Sequence, residues 1–138
     1  MKKITVAVCI DCDGGMMFNN RRCAKDRGLI RELLSSTEGR IVIHPYSEKL
    51  FGGDPRISVV SDPMLDASDG DICFVEQFPI APLLDFVDRF IIYDLGIPYP
   101  KDKYLDVDPE QCGFELLSRV YFKGSSHDRI TKRIYKRK

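Results

Sequence analysis

Asp26 is the ionisable residue whose position is hardest to read as plain surface chemistry. It stands three and four residues before Leu29 and Ile30 and seven before Leu33, so a helix over this stretch sets its carboxylate on the apolar stripe. Desolvated there, the carboxyl would be pushed up and could hold a proton near neutral pH. The alternative is that the helix starts late and Asp26 caps it, or pairs with Arg22 or Arg27. Upstream lies Gly14-Gly15-Met16-Met17-Phe18, a glycine turn followed by apolar side chains that a solvated loop would not favour.

Other residue patterns point less far. Cys9 and Cys12 form a C-x-x-C, but Cys9 falls inside an apolar run and no second pair exists to complete a zinc site. His44 and His127 are the only histidines, and no His-x-His-x-Asp-His cluster is present, so the sequence gives no ground for a metal. No Ser or Cys sits in a Gly-x-Ser-x-Gly elbow, and Gly52-Gly53 lacks the Lys and Ser/Thr of a phosphate loop.

The elements that must hold Asp26 follow from periodicity. Ile4 to Ile10 is apolar or small on both faces, as in a central strand of an α/β sheet, and ligands of such sheets bind beyond the carboxyl ends of the strands. A helical pattern runs from Asn19-Asn20 to about Ser35, with either Asn as a plausible N-cap. Arg40 to His44, Ile57 to Ser61, Asp71 to Val75 and Asp88 to Tyr93 read as further strands. Gln77 to Val87 reads as a helix, with Pro79 near its start and Pro82 kinking or delaying it. Phe114 to Phe122 and Ile130 to Tyr135 alternate around Lys123-Gly124-Ser125-Ser126, the pattern of a closing antiparallel hairpin.

The 138 residues fit one domain over 1–138, and 43% hydrophobic with 30% charged residues is ordinary for a globular chain. No secretory signal or apolar run of about 20 residues is present, so the expected address is the cytoplasm, with no membrane partner. The five scattered cysteines then read as reduced thiols. Lys+Arg and Asp+Glu both count 21, so no overall field steers a polyanion. Only the stretch from Lys123 to Lys138 is basic, with Tyr121, Phe122 and Tyr135 among the charges, which makes nucleic acid the weakest of the partner readings.

This order of elements resembles dihydrofolate reductase in a short form. Ile4 to Met17 looks like that family's first strand and mobile loop, and Asp26 followed by Ile30 looks like its helix pattern of an acid with a pocket residue four later. Asp102-Lys103-Tyr104-Leu105 looks like its Asp-x-x-Phe loop. The resemblance implies an α/β fold, a mixed and mostly parallel sheet flanked by helices and closed by the hairpin. It implies Asp26 as the catalytic acid under a lid from Gly14 to Phe18. A small planar heterocycle, pterin-like or pyrimidine-like, would then lie against Ala7, Met16, Met17, Phe18, Ile30 and Val75, with NADPH at Gly15, Tyr46 and Ser47. The motifs depart at the cofactor. His44-Pro45-Tyr46-Ser47 keeps only the hydroxyl of Gly-Arg-x-Thr, Glu76-Gln77 stands where paired glycines would, and Arg21-Arg22 replaces Pro-Trp. Two functions follow: an NAD(P)H-dependent reductase, or a non-catalytic binding protein whose Arg21, Arg22 and Tyr46 grip an anionic or planar ligand.

Overall fold

The computed structural model describes residues 1–138. Strand β1 (Ile4–Ile10) runs down the middle of a seven-stranded sheet, between β6 (Ile72–Phe74) and β7 (Val87–Asp94) and parallel to both. Beyond β6 lie β4 (Ile41–Ile43) and β5 (Ile57–Val59), also parallel. Beyond β7 lie β10 (Ile130–Arg137) and the edge strand β9 (Phe114–Phe122), both antiparallel to their neighbours. The sheet is therefore mixed and mostly parallel, closed by the expected hairpin.

The two-sided apolar run of β1 has its physical reason in two separate cores. Val6, Val8 and Ile10 pack on one face with Val42, Cys73, Phe90, Ile92 and Phe114. Ala7 faces the other way, among Leu29, Leu33, Ile41, Phe74, Ile91 and Tyr93. Helix α1 (Arg27–Ser36) lays its Leu29, Ile30 and Leu33 stripe onto that second face. Two single-turn helices, α2 (Glu48–Phe51) and α3 (Pro63–Asp66), follow β4 and β5. No helix is long and apolar enough to cross a membrane.

Three expectations are corrected. The helix does not start near Asn19. Asn19 and Asn20 have φ of 51° and 62°, the left-handed pair that a two-residue hairpin turn requires, and they join β2 (Gly15–Phe18) to β3 (Arg21–Arg22). The 77–87 stretch is not an α-helix. It forms only a kinked 3-10 segment, Ala81–Phe86, because Pro79 and Pro82 withhold donors from the first turns.

The expected lid from Gly14 to Phe18 is, from Gly15 on, a strand rather than a loop. It pairs with β3 and with β8 (Lys103–Tyr104) in a second, three-stranded sheet. Amides of Asp102 and Leu105 donate to the carbonyls of Met17 and Gly14. Met16 and Met17 are buried in the first core, while Phe18 is exposed.

Candidate functional site

The carboxyl ends of β1, β4 and β6 converge on one ion pair. Arg22, on the short β3, forks onto Glu76, two residues past β6: Nε donates to Oε2 at 2.8 Å and Nη2 to Oε1 at 3.0 Å. Ser47 donates its hydroxyl to the same Oε1 at 2.7 Å and is buried. The Arg22 guanidinium lies 4.4 Å from the Tyr46 ring centroid, and its backbone N–H donates to the Tyr46 hydroxyl at 2.7 Å. The hydrogen bonds it donates to Glu76 raise the Arg22 pKa above its ordinary value, against the opposing effect of burial. A bidentate, partly desolvated pair of this kind is strong and directional.

Two small cavities flank the pair. One, of about 10 Å³, lies among Cys9, Asp11, Gly15, Met16, Cys23 and Glu76; the other, of about 20 Å³, among Cys9, Ala24, Leu29, Ile30, Phe74 and Glu76. Each has room for about one water. A wider groove of about 190 Å³ opens beside them between α1 and α2, rimmed by Arg22, Lys25, Arg27 and Lys49 with Ile30 and Leu50 beneath. Lys25, Arg27 and Lys49 are exposed and make no hydrogen bond or ion pair through their side chains, so this rim is a concentrated positive field.

Asp26 sits at this groove, but its carboxylate is turned into the β9–β10 turn. It is the N-cap of α1, accepting from Leu29 N at 3.0 Å. Oδ1 also accepts from the Ser125 amide at 2.8 Å, and Oδ2 from the Ser126 amide and His127 Nδ1, both at 2.8 Å. The His127 tautomer that donates Nδ1–H to Asp26 leaves Nε2 to accept the Tyr99 hydroxyl at 2.6 Å. Burial alone would push the Asp26 carboxyl up. The hydrogen bonds from His127, Ser125, Ser126 and Leu29 outweigh it and hold the carboxyl well below the usual range. The expected raised pKa is thus reversed, with the carboxylate committed to donors from α1 and the β9–β10 turn. The packing is close enough that a Cβ on Gly124 would run into the Asp26 carboxylate.

The other expected site residues divide. Ile30 lines both the groove and the 20 Å³ cavity, and Gly15 and Met16 line the 10 Å³ one. Ala7, Met17 and Val75 are buried on opposite faces of the sheet and line none of these three spaces. Phe18 faces a separate outer opening with Asn19, Arg21 and Arg22. Tyr46 and Ser47 stand at the site, committed to Arg22 and Glu76.

Reading the sequence alone missed Glu76 as an anchor, treating it only as a carboxylate in place of a glycine. A carboxylate directly after the buried run Ile72 to Val75, at the ligand end of a central strand, was the available signal. The C-terminal basic residues prove mostly spoken for. Lys132 pairs with Glu32, Arg133 with Asp94 and Lys136 with Asp88, and Arg137 donates to the Val87 and Leu84 carbonyls.

Strand order, two-sided packing and closing hairpin together define a dihydrofolate-reductase-like fold. Among solved structures, the chain superposes on the dihydrofolate reductase from Enterococcus faecalis complexed with NADP(H) and RAB-propyl. The TM-score is 0.70 over 98% of this chain and 96% of that one, at 9% identity, a likeness of fold alone. No family model matches the sequence, and neither does any curated protein.

The cofactor in that neighbour can be tested against the residues here. At the end of β4, Pro45 has no N–H, the Tyr46 amide donates to His44 Nδ1 at 3.0 Å, and the Ser47 amide to the His44 carbonyl at 2.9 Å. The Ser47 hydroxyl is spent on Glu76, and the Lys101 side chain fills the space against Gly15. The donors of the β4 turn are therefore taken, and this turn offers no cradle for a dinucleotide diphosphate.

Proposed function

We propose that this protein is a small-molecule-binding member of the reductase fold, taking a planar nitrogen heterocycle that carries an anionic group. Glu76 accepts N–H donors from the ring at the ends of β1 and β6, and Arg22, Lys25 and Lys49 hold the anion along the groove. The observation that carries this reading is the buried Glu76 carboxylate, forked by a planar guanidinium beside an apolar slot and a basic rim. Whatever replaces that guanidinium must be planar and rich in N–H donors.

The basic rim gives the experiment. In equilibrium dialysis with folate, whose tail carries carboxylates, the double variant Lys25→Glu, Lys49→Glu should bind at least about tenfold more weakly than wild type, since opposed charges replace attractive ones. Pterin without the tail should bind both proteins alike. Equal folate affinity in the two proteins would refute the groove assignment.

A second reading, an NAD(P)H-dependent reductase of the same heterocycle, draws on the near-complete overlap with a reductase described as complexed with NADP(H). The spent amides at Tyr46 and Ser47 and the saturated Asp26 carboxylate weigh against it. Dihydrofolate-dependent oxidation of NADPH, absent in a Glu76→Ala control, would establish it.

A further inference from the structure

Arg22 stands where three openings meet. It lines the 10 Å³ cavity with Cys9 and Glu76, the basic groove with Lys25 and Lys49, and the outer opening with Phe18 and Arg21. Glu76 lines both small cavities from below. The two partners differ in exposure. The Glu76 side chain is 8% exposed and held by Ser47, whereas the Arg22 side chain is 23% exposed and faces the groove, held besides by Nη2 donating to the Tyr46 carbonyl at 3.1 Å and by the Tyr46 ring. The Arg22 backbone is pinned to the Tyr46 hydroxyl and paired to Met17, so the side chain can turn without the strand moving.

We propose that Arg22 is a gate that closes the crevice by occupying Glu76. It opens when an incoming anionic group, carboxylate or phosphate, takes the guanidinium away. The gate rests on the binding reading above, because cavities of about 10 and 20 Å³ hold a water and not a ring. With Arg22 turned into the groove, the two cavities and the groove become one crevice. Glu76 is then free to accept the ring's N–H donors. No bond is made or broken in this exchange; one ion pair replaces another.

Cys9, half-buried, reports the gate without any ligand, since it lines both small cavities. Burial first, then the Glu76 carboxylate, push its thiol pKa up, and slow alkylation is the expected wild-type result. The test is the rate at which neutral iodoacetamide alkylates Cys9, read by peptide mass spectrometry across pH, with urea unfolding as a control for global stability. Arg22→Met should label at least about tenfold faster, the scale on which charged hydrogen bonds hold a local opening shut. Arg22→Lys, which keeps the charge and loses the fork, should fall between.

Access and thiol ionisation are told apart by following the labelling rate across pH: a gain that stays when rates are compared at equal thiolate fraction comes from access. Inorganic phosphate should speed labelling of wild type beyond sodium chloride of equal ionic strength, and should leave Arg22→Met unchanged. Labelling of both variants at the wild-type rate, or in step with their unfolding free energy, would overturn the gate. So would an equal phosphate effect on wild type and Arg22→Met. Because the variant rates need no ligand, they separate the gate from the binding reading: a working gate beside unchanged dialysis results would condemn only the latter.

Discussion

Asp26→Asn should destabilise the fold by about 3 kcal/mol, the scale for leaving the buried donors of a charged acceptor without their partner. The carboxylate accepts from three backbone amides, from His127 and from the Ser125 hydroxyl at 3.2 Å, and it joins the start of α1 to a turn about a hundred residues later in sequence. An amide offers one oxygen to these donors and turns its own N–H₂ toward the rest.

The pH dependence has a definite sign. The folded pKa lies below the unfolded value, so the contribution is complete above about pH 5 and shrinks once the pH falls through the ordinary Asp value near 3.9 toward the folded one. Wild type and Asp26→Asn should therefore converge in stability on acidification. Urea unfolding from pH 7 down to pH 3 checks both points, and a gap that stays constant or widens would show that Asp26 is not held as an ionised lock. At neutral pH the folded variant should bind folate with wild-type affinity, as fits a structural carboxylate and not a proton donor.

Glu76→Ala should weaken folate binding about a hundredfold, since truncating one partner of a buried charge pair costs roughly 2–5 kcal/mol and each tenfold is about 1.4 kcal/mol. The same change should leave the affinity for inorganic pyrophosphate equal or higher, because Arg22 loses its internal competitor. Isothermal titration with the two ligands reads the two arms separately. A parallel loss of folate and pyrophosphate would mean that Glu76 only supports the fold of the site, and retained folate binding would remove it from the site altogether.

How much of this was legible in the sequence follows from the range of each interaction. The central position of β1 was visible because both faces of one short segment are apolar, and the closing hairpin because two alternating segments flank a Gly-Ser turn. The late start of α1 was one of two readings that the local pattern left open at Asp26. Sequence could not choose between them, since the donors that decide it come from Ser125, Ser126 and His127.

The lid was misjudged for a similar reason. Met16 and Met17 look out of place in a loop until β8 pairs with the segment and turns it into a strand whose side chains fill the core. Arg22 and Glu76 lie 54 residues apart, on a two-residue strand and a loop, where no periodicity marks either. Their types did carry information: both were noticed, as an arginine in place of Pro-Trp and a carboxylate in place of glycine. Only the fold brings the two departures together as one pair.

The central claim is that the crevice is organised around the Arg22–Glu76 pair and not around a dinucleotide. Thermal-shift titration of wild type with folate and, separately, with NADPH tests it most directly. Saturable binding at a hundredfold excess over Kd stabilises a protein by about 2.7 kcal/mol, well within reach of the method. Folate should raise Tm saturably in the absence of NADPH, and NADPH alone should give no shift at millimolar concentration. A saturable shift with NADPH alone, or none with folate, would contradict the account.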